Sequence, residues 1–600
     1  MYDGVERDMP WQTPKWNQRI RGPKAAFWGG DRAWCDAPPR TAPRVRCDCY
    51  DGESGPLCEP IAGEHADVTF CLNQCSGRGA CRSGFCECRA GAYGADCSLP
   101  ATPTTASTAA STTATTPPRP RIYVYELPGE FNTFLLARRQ NPDACVIREY
   151  QPAGGGATAP KWSNTLYGAE VAVHEALLAS PHRTTDPAAA DFFYVPVYGG
   201  CYISEFNRPR PDHWLCDECH KGKAADLASL RAMRWHEAAL AHVRQSLPYW
   251  NRSGGADHLW PFTHDEGACY APAALANATL LVHWGRLQPR PNGSSEYHLW
   301  RVRPHARRMY GWERCYDACK DLVLPSWRRP EDFASSPLRF AAAAAARAQP
   351  PPAAPGPKAR LFYFNGALGR KGGGPGGARV FDANLGNYSF GLRQQLYALY
   401  GGREAEGVVV TDERSPSYGA ALASSTFCGV LPGWGWSGRM EDAVLHGCIP
   451  VVLQDGVHTP WESVLEWEQY AVRVERRQMP RLLEILRAVG DGEVRARQAA
   501  LQRVWSRFAY SGVIAAEGAR RRGEAKKGAA VGGGAPDAVD TLLEVLHVRL
   551  LRREARAAGG AATARPADGC RALPAGDEVS PPLTGVAPEF EGRKVSGWVI

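Results

Sequence analysis

Residues Ser424–Leu453, SSTFCGVLPGWGWSGRMEDAVLHGCIPVVL, read as strand, loop, helix, strand. Thr426–Leu431 is a short apolar, β-prone run. Pro432–Gly438 is a loop with three glycines and two tryptophans. Ser437 suits a helix N-cap and puts Glu441 in or just past the first turn. Met440, Ala443, Val444 and Leu445 give the helix an apolar face. Gly447 suits the left-handed residue that ends many helices, and Cys448–Leu453 returns as a buried strand. The unit is βαβ, and parallel sheets place ligands at the carboxyl ends of their strands. A glycine-rich loop feeding a helix N-terminus suits a diphosphate, because free N–H groups and the helix dipole point at it. A carboxylate just inside that helix can accept hydrogen bonds from ribose hydroxyls. The pattern therefore points to a nucleotide sugar; it equally suits an ordinary βα turn with core tryptophans.

From Ser424 the chain continues through QDGVHTPWESVLEWEQYAV. The whole string resembles the exostosin family of glycosyltransferases, family 47, whose hallmark runs Ser-x-Phe-Cys, Pro-x-Gly, Arg-x-x-Glu-Ala, Gly-Cys-Ile-Pro-Val. This chain departs at Asp442, at Trp461 and in the Gly433–Ser437 loop. Further stretches resemble the family: RIYVYELP from Arg121, DPAAADFFYVPVY from Asp186, GGADHLWPFTHDEGA from Gly254 and KDLVLP from Lys320. The resemblance covers roughly residues 120–510. It implies transfer from a nucleotide sugar, usually a UDP-sugar, to a polysaccharide or glycoprotein glycan. It also implies a Golgi or secretory location and a membrane anchor.

At 600 residues the chain is too long for one core. The net charge of +8 is mild, and no basic–aromatic pattern suggests nucleic-acid readout. Twenty cysteines, ten of them before residue 100, point to an oxidising compartment. No signal peptide and no run of about 18 apolar residues is present, so an upstream anchor or signal is expected to be missing.

Residues 71–97, CLNQCSGRGACRSGFCECRAGAYGADC, look like an EGF-like module. That resemblance implies Cys71–Cys81, Cys75–Cys86 and Cys88–Cys97, where spacing alone leaves fifteen pairings. Residues 35–58 look like the rear half of an earlier repeat, implying Cys35–Cys47 and Cys49–Cys58. The organisation expected is 1–34 unassigned, 35–58 a partial EGF-like repeat and 59–100 an EGF-like domain. Residues 101–120, rich in Thr, Ser and Pro, read as a disordered stalk holding the modules away from the rest. Strands alternating with helices then give two halves, 121–340 for the acceptor and 358–515 for the nucleotide sugar. An Ala/Pro-rich linker, 341–357, separates them, and 516–600 is a low-complexity tail with one helix over 537–557. The fold class expected is α/β, a GT-B-like pair of Rossmann-like domains preceded by disulfide-rich modules. A protein partner could bind through the modules.

Donor contacts are assigned to Glu441 for ribose and to Arg439 with the loop from Gly435 through Ser437 to Gly438 for phosphate. Arg370 is a further phosphate candidate or a solvated loop arginine. The acceptor hydroxyl must lose its proton as the anomeric carbon gains oxocarbenium character. Asp257, His258, His264, Asp265 and Glu266 crowd one loop. Asp265 or Asp257 is the expected base, with His264 and His258 orienting; Asp257–His258 could instead be structural. No metal motif stands out, so no metal or other cofactor is expected. Cys216/Cys219 and Cys315/Cys319 are expected as disulfides rather than zinc ligands. Sequons at Asn251, Asn277, Asn292 and Asn387 agree with a secretory route. Two function classes stand: an active glycosyltransferase, and an adhesion or binding protein displaying EGF-like modules on an inactive scaffold.

Overall fold

The computed structural model describes residues 70–82, 85–100, 118–137, 145–153, 157–207, 224–287, 315–346, 358–371, 388–413, 415–522 and 535–557, plus short strand pieces at 33–35, 47–49, 53–54, 59–60 and 380–381. Two parallel sheets organise it. The first joins β1 (Ile122–Val124), β2 (Arg183–Thr184), β3 (Phe192–Tyr194), β4 (His258–Phe262), β5 (Thr279–Val282) and β6 (Leu322–Val323) in the order β2-β1-β3-β4-β5-β6. The second joins β7 (Arg360–Asn365), β8 (Val408–Thr411), β9 (Ser425–Val430), β10 (Ile449–Val452) and β11 (Val472–Arg473) in the order β8-β7-β9-β10-β11. Every pairing within both is parallel. Strands β3, β4, β5 and β10 are buried at every residue, because helices cover both faces of a parallel sheet. Each order reverses between its first and third strands in sequence. That reversal opens a crevice at the carboxyl ends, where such folds bind ligands.

Helices connect and flank these strands. They include α1 (Ala169–Ala179), α2 (Gly199–Asn207), α3 (Ala224–Ser246), α4 (Pro337–Ala346), α5 (Leu392–Tyr400), α6 (Arg439–Leu445), α7 (Ser511–Arg521) and α8 (Ala538–Ala557). The decisive unit folds as read: β9, loop, α6, Gly447 at φ 66°, then β10. A disulfide between Cys428 and Cys448 ties its two strands together. One detail differs. The N-cap is Gly438, with no side-chain cap, and Ser437 Oγ instead accepts from Arg393 at 3.2 Å.

The linker is expected to be flexible or partly helical, and the tail to hold one helix over 537–557. The 341–357 linker is partly helix, since α4 runs to Ala346; residues 347–357 lie outside the described residues. The tail is partly structural. α8 lies across both halves: its Glu544 accepts from Arg507 Nη1 at 2.7 Å and its Arg549 donates to the Lys320 carbonyl at 2.6 Å. Its Arg553 guanidinium stacks over Phe192, 5.4 Å from the ring centre.

The cysteine-rich module is not held away on a stalk. It carries the pairs Cys71–Cys81, Cys75–Cys86 and Cys88–Cys97 and docks on the first half. Phe70 and Leu72 join the main core. Asn73 N–H donates to Glu175 Oε1 at 2.6 Å, Ala95 N–H to Glu126 Oε2 at 2.8 Å and Arg183 Nη1 to Ser98 Oγ at 2.5 Å. The bridges expected for Cys35, Cys47, Cys49 and Cys58 lie outside the described side chains, as do Cys216 and Cys219. Cys315 pairs with Cys269 rather than Cys319, and Cys319 is itself in a disulfide. Cys145–Cys201 adds a bridge between β-rich and helical parts of the first half.

Candidate active site between the two sheets

The halves meet through the loops at the carboxyl ends of both sheets. Trp436 N–H, in the loop after β9, donates to the Asp265 carbonyl after β4 at 2.7 Å. The His283 ring, just past β5, lies 4.9 Å from the Trp436 ring. Gly285–Arg286 pairs antiparallel with Val457–His458. Ser326 N–H donates to Glu441 Oε1 at 2.6 Å, and Tyr510 donates its hydroxyl proton to the Pro325 carbonyl at 2.7 Å. Glycines make this approach close. A Cβ on Gly435 would lie 2.1 Å from the Asp265 carbonyl oxygen, and one on Gly438 1.6 Å from Arg328 Nη2. Their smallness is thus required by the opposite half, not only by a phosphate.

Charge is concentrated where the second sheet reverses. Arg328 donates to Asp442 Oδ1 at 2.8 Å and to the Gly438 carbonyl at 2.7 Å. Arg439 donates to Asp442 Oδ2 at 2.8 Å and lies over the Tyr418 ring. Burial alone would raise the Asp442 carboxyl, but Arg328 and Arg439 hold it at about 2. Glu441 is fully buried; burial raises its pKa, and its Oε2 has no hydrogen-bond partner. A buried carboxylate oxygen left unpaired is costly, which makes Glu441 a candidate ligand contact.

Arg393, on the first turn of α5, was not legible as a site residue. An arginine in an amphipathic helix ordinarily reads as solvated. Here it is buried, and its guanidinium donates to the Leu431 carbonyl, the Ala367 carbonyl, Tyr388 Oη and Ser437 Oγ. Among the described residues no carboxylate pairs with it, and its Nε has no partner. Burial, with Arg439 adding like-charge repulsion, lowers its pKa to about 10, so it stays charged at neutral pH. A Cβ placed on Gly366 would touch Arg393 Nη1 and Arg439 Nη2, each at 3.1 Å. Both guanidiniums therefore converge on the carboxyl end of β7, at the reversal between β7 and β9.

The structure separates the four acid–base candidates. Asp257 and His258 stand at the amino end of β4, roughly 13 Å of strand from its carboxyl end. Asp257 accepts from His258 at 2.7 Å, Ser253 at 2.5 Å and Arg252 at 2.9 Å. Burial opposes ionisation there, but these bonds hold the carboxyl at about 2. His258 is stacked on Phe193 and bonds Tyr125. These contacts suit the structural reading of the pair. His264 and Asp265 stand at the carboxyl end, in the cleft. Tyr167 donates to Asp265 Oδ1 at 3.2 Å, and the His264 ring lies 5.4 Å from that of Tyr167. Arg370 is engaged elsewhere: it pairs with Asp412, donates to Tyr397 Oη at 2.9 Å and stacks on that ring. It is therefore not the solvated loop arginine of the alternative reading, since its side chain is ion-paired and mostly buried.

Among the described residues, the grouped potential metal ligands Cys71, Cys75 and Cys86 are all disulfide-bonded.

Residues 116–489 match the family model of the Exostosin GT47 domain. A probable glucuronosyltransferase of Oryza sativa subsp. japonica is 26% identical over 392 residues, covering 63% of this chain and 70% of the relative. Another from the same organism is 29% identical over 376 residues, 62% of this chain and 70% of the relative. A probable beta-1,4-xylosyltransferase of Arabidopsis thaliana is 25% identical over 383 residues, 62% of this chain and 71% of the relative. The matched span contains both sheets and every charged group of the cleft, and the chain belongs to the exostosin GT47 family, as a glycosyltransferase.

Proposed function

We propose that this enzyme transfers a sugar from a UDP-sugar to a polysaccharide acceptor in the lumen of the secretory pathway, in a GT-B-like cleft between the two sheets. The observation that carries this is the buried Arg393, which has no ion pair among the described residues, beside Arg439 at the reversal of the second sheet. Such a pair suits the two phosphates of a nucleoside diphosphate, and it would stabilise the charge on the departing diphosphate. The unpartnered Glu441 Oε2 would accept from ribose hydroxyls. Asp265, across the cleft, would take the acceptor hydroxyl's proton, with Tyr167 and His264 fixing its position. The disulfides support an oxidising compartment. The relatives named as glucuronosyl- and xylosyltransferases support a cell-wall-type glycan.

Titration calorimetry with UDP and uridine tests the donor half. Glu441→Gln keeps an oxygen for Ser326 N–H but loses the charge. UDP and uridine should both weaken by about ten- to a hundredfold, the worth of charge-assisted hydrogen bonds. Arg393→Gln and Arg439→Ala should weaken UDP by a similar factor, of roughly ten or more, and uridine far less, since the lost partner is phosphate. Parent-like UDP binding by Glu441→Gln removes the ribose assignment.

A further inference from the structure

Among the described residues four large hydrophobic side chains are exposed, and two of them, Leu166 and Trp434, stand on opposite halves within two residues of groups that bond Asp265. Leu166 precedes Tyr167, which donates to the Asp265 carboxylate. Trp434 lies two residues before Trp436, whose N–H donates to the Asp265 carbonyl. In the loop from Leu431 to Gly438 it is the one residue exposed to solvent. Its position is built. Gly433 N–H donates to the Gly435 carbonyl, folding a tight turn that projects the indole. Tyr388 meets that indole edge-on at 5.4 Å, and Arg393 holds the Tyr388 hydroxyl at 3.0 Å. Ser389 N–H donates to the Gly433 carbonyl, which stitches the two segments together. Ser389 and Phe390 take φ of 54° and 53°, a region that favours glycine. Non-glycine residues hold such backbone mostly where a site needs it.

We propose that Trp434, braced by Tyr388, is a stacking platform for a pyranose ring of the glycan acceptor, with Leu166 as the apolar wall opposite. The proposal rests on the reading of Asp265 as the reacting end of the cleft. A pyranose presents a face of C–H bonds, which are weakly positive and pack against the negative face of an indole. A glycan chain must enter from solvent, and the exposed indole stands at the mouth. A nucleobase would instead be expected deeper, next to Arg393 and Glu441, where it can be enclosed.

The test uses the full chain and three probes: xylohexaose, cellohexaose and a glucuronic-acid-containing hexasaccharide, each titrated at up to millimolar concentration, with UDP titrated in parallel. The parent should bind at least one hexasaccharide. Trp434→Ala should weaken that binding by about ten- to thirtyfold, as for a buried tryptophan contact, and leave UDP within about twofold. Trp434→Phe should retain most of the affinity, and Leu166→Ser should lose a smaller part of it. Three outcomes overturn the platform: no hexasaccharide binds the parent, Trp434→Ala binds it as the parent does, or UDP weakens as much as the glycan. The donor assignment stands or falls separately, on the Glu441 and Arg393 titrations.

Discussion

Asp265→Asn is expected to lower sugar transfer by about 10²- to 10⁴-fold, the usual contribution of a positioned general base. The amide keeps the shape and can still accept from Tyr167, but it cannot take a proton from an acceptor hydroxyl. The backbone carbonyl that receives Trp436 N–H is untouched, so the contact between the halves survives. UDP affinity should therefore stay within about threefold, because a lost base acts on kcat and not on donor binding. Asp257→Asn is the internal control. It breaks the ionised cluster with Arg252 and His258 at the far end of β4, so it should lower stability. Correctly folded Asp257→Asn should turn over within a fewfold of the parent. Transfer assays with single-turnover analysis separate the two. Near-parental turnover by Asp265→Asn would return the base to an unassigned residue.

The contrast between these two aspartates shows how far the sequence could be read. Ser424–Leu453 was decipherable because its glycines, apolar face and short strands act locally, and β9, α6 and β10 appear where those signals put them. Asp257 and Asp265 look equivalent on one loop-like stretch. Only the strand between them, His258–Phe262, sends them to opposite ends of a sheet. Arg393 carries no local signal, since its partners Leu431 and Ser437 are some forty residues away in sequence. The pairing of Cys315 is equally non-local: nearness to Cys319 suggested one bridge, while the partner is Cys269, in the turn after β4 and 46 residues away. The Thr/Ser/Pro composition of residues 101–120 speaks to stiffness and not to where the ends land. Nothing in it foretold that the cysteine-rich module folds back onto α1.

That docking sets the second large effect. Arg148 is fully buried and forks both Nη groups onto Glu175, at 2.7 and 2.9 Å. Its Nε donates to Tyr150 Oη at 2.9 Å and lies 3.4 Å from Glu517 of α7. Phe70 covers the guanidinium at 4.7 Å, and Asn73 of the module adds an N–H to Glu175 while accepting from Arg520 at 3.1 Å. Module, first half and α7 thus share one buried ionic cluster. Arg148→Ala leaves Glu175 buried without its ion-pair partner, while Glu517 keeps Arg520 at 2.9 Å, and breaking such a buried pair costs about 3–5 kcal/mol. Removing residues 1–100 strips Phe70 and Asn73 from the same cluster, so it should destabilise the catalytic body and not merely shorten the chain. Burial would raise the Glu175 pKa, but Arg148 holds it below the ordinary value. Its contribution is therefore present above the unfolded pKa of about 4.3 and is lost as pH falls through the lower folded value. In Arg148→Ala the same carboxyl loses that cation and protonates more readily, so the stability gap to the parent should be widest near neutral pH and narrow on acidification. Denaturant unfolding of parent and variant from neutral to acidic pH measures this. A gap below about 1 kcal/mol at neutral pH is the size typical of a solvent-exposed pair, and it would show that the cluster is not the buried joint between module and enzyme.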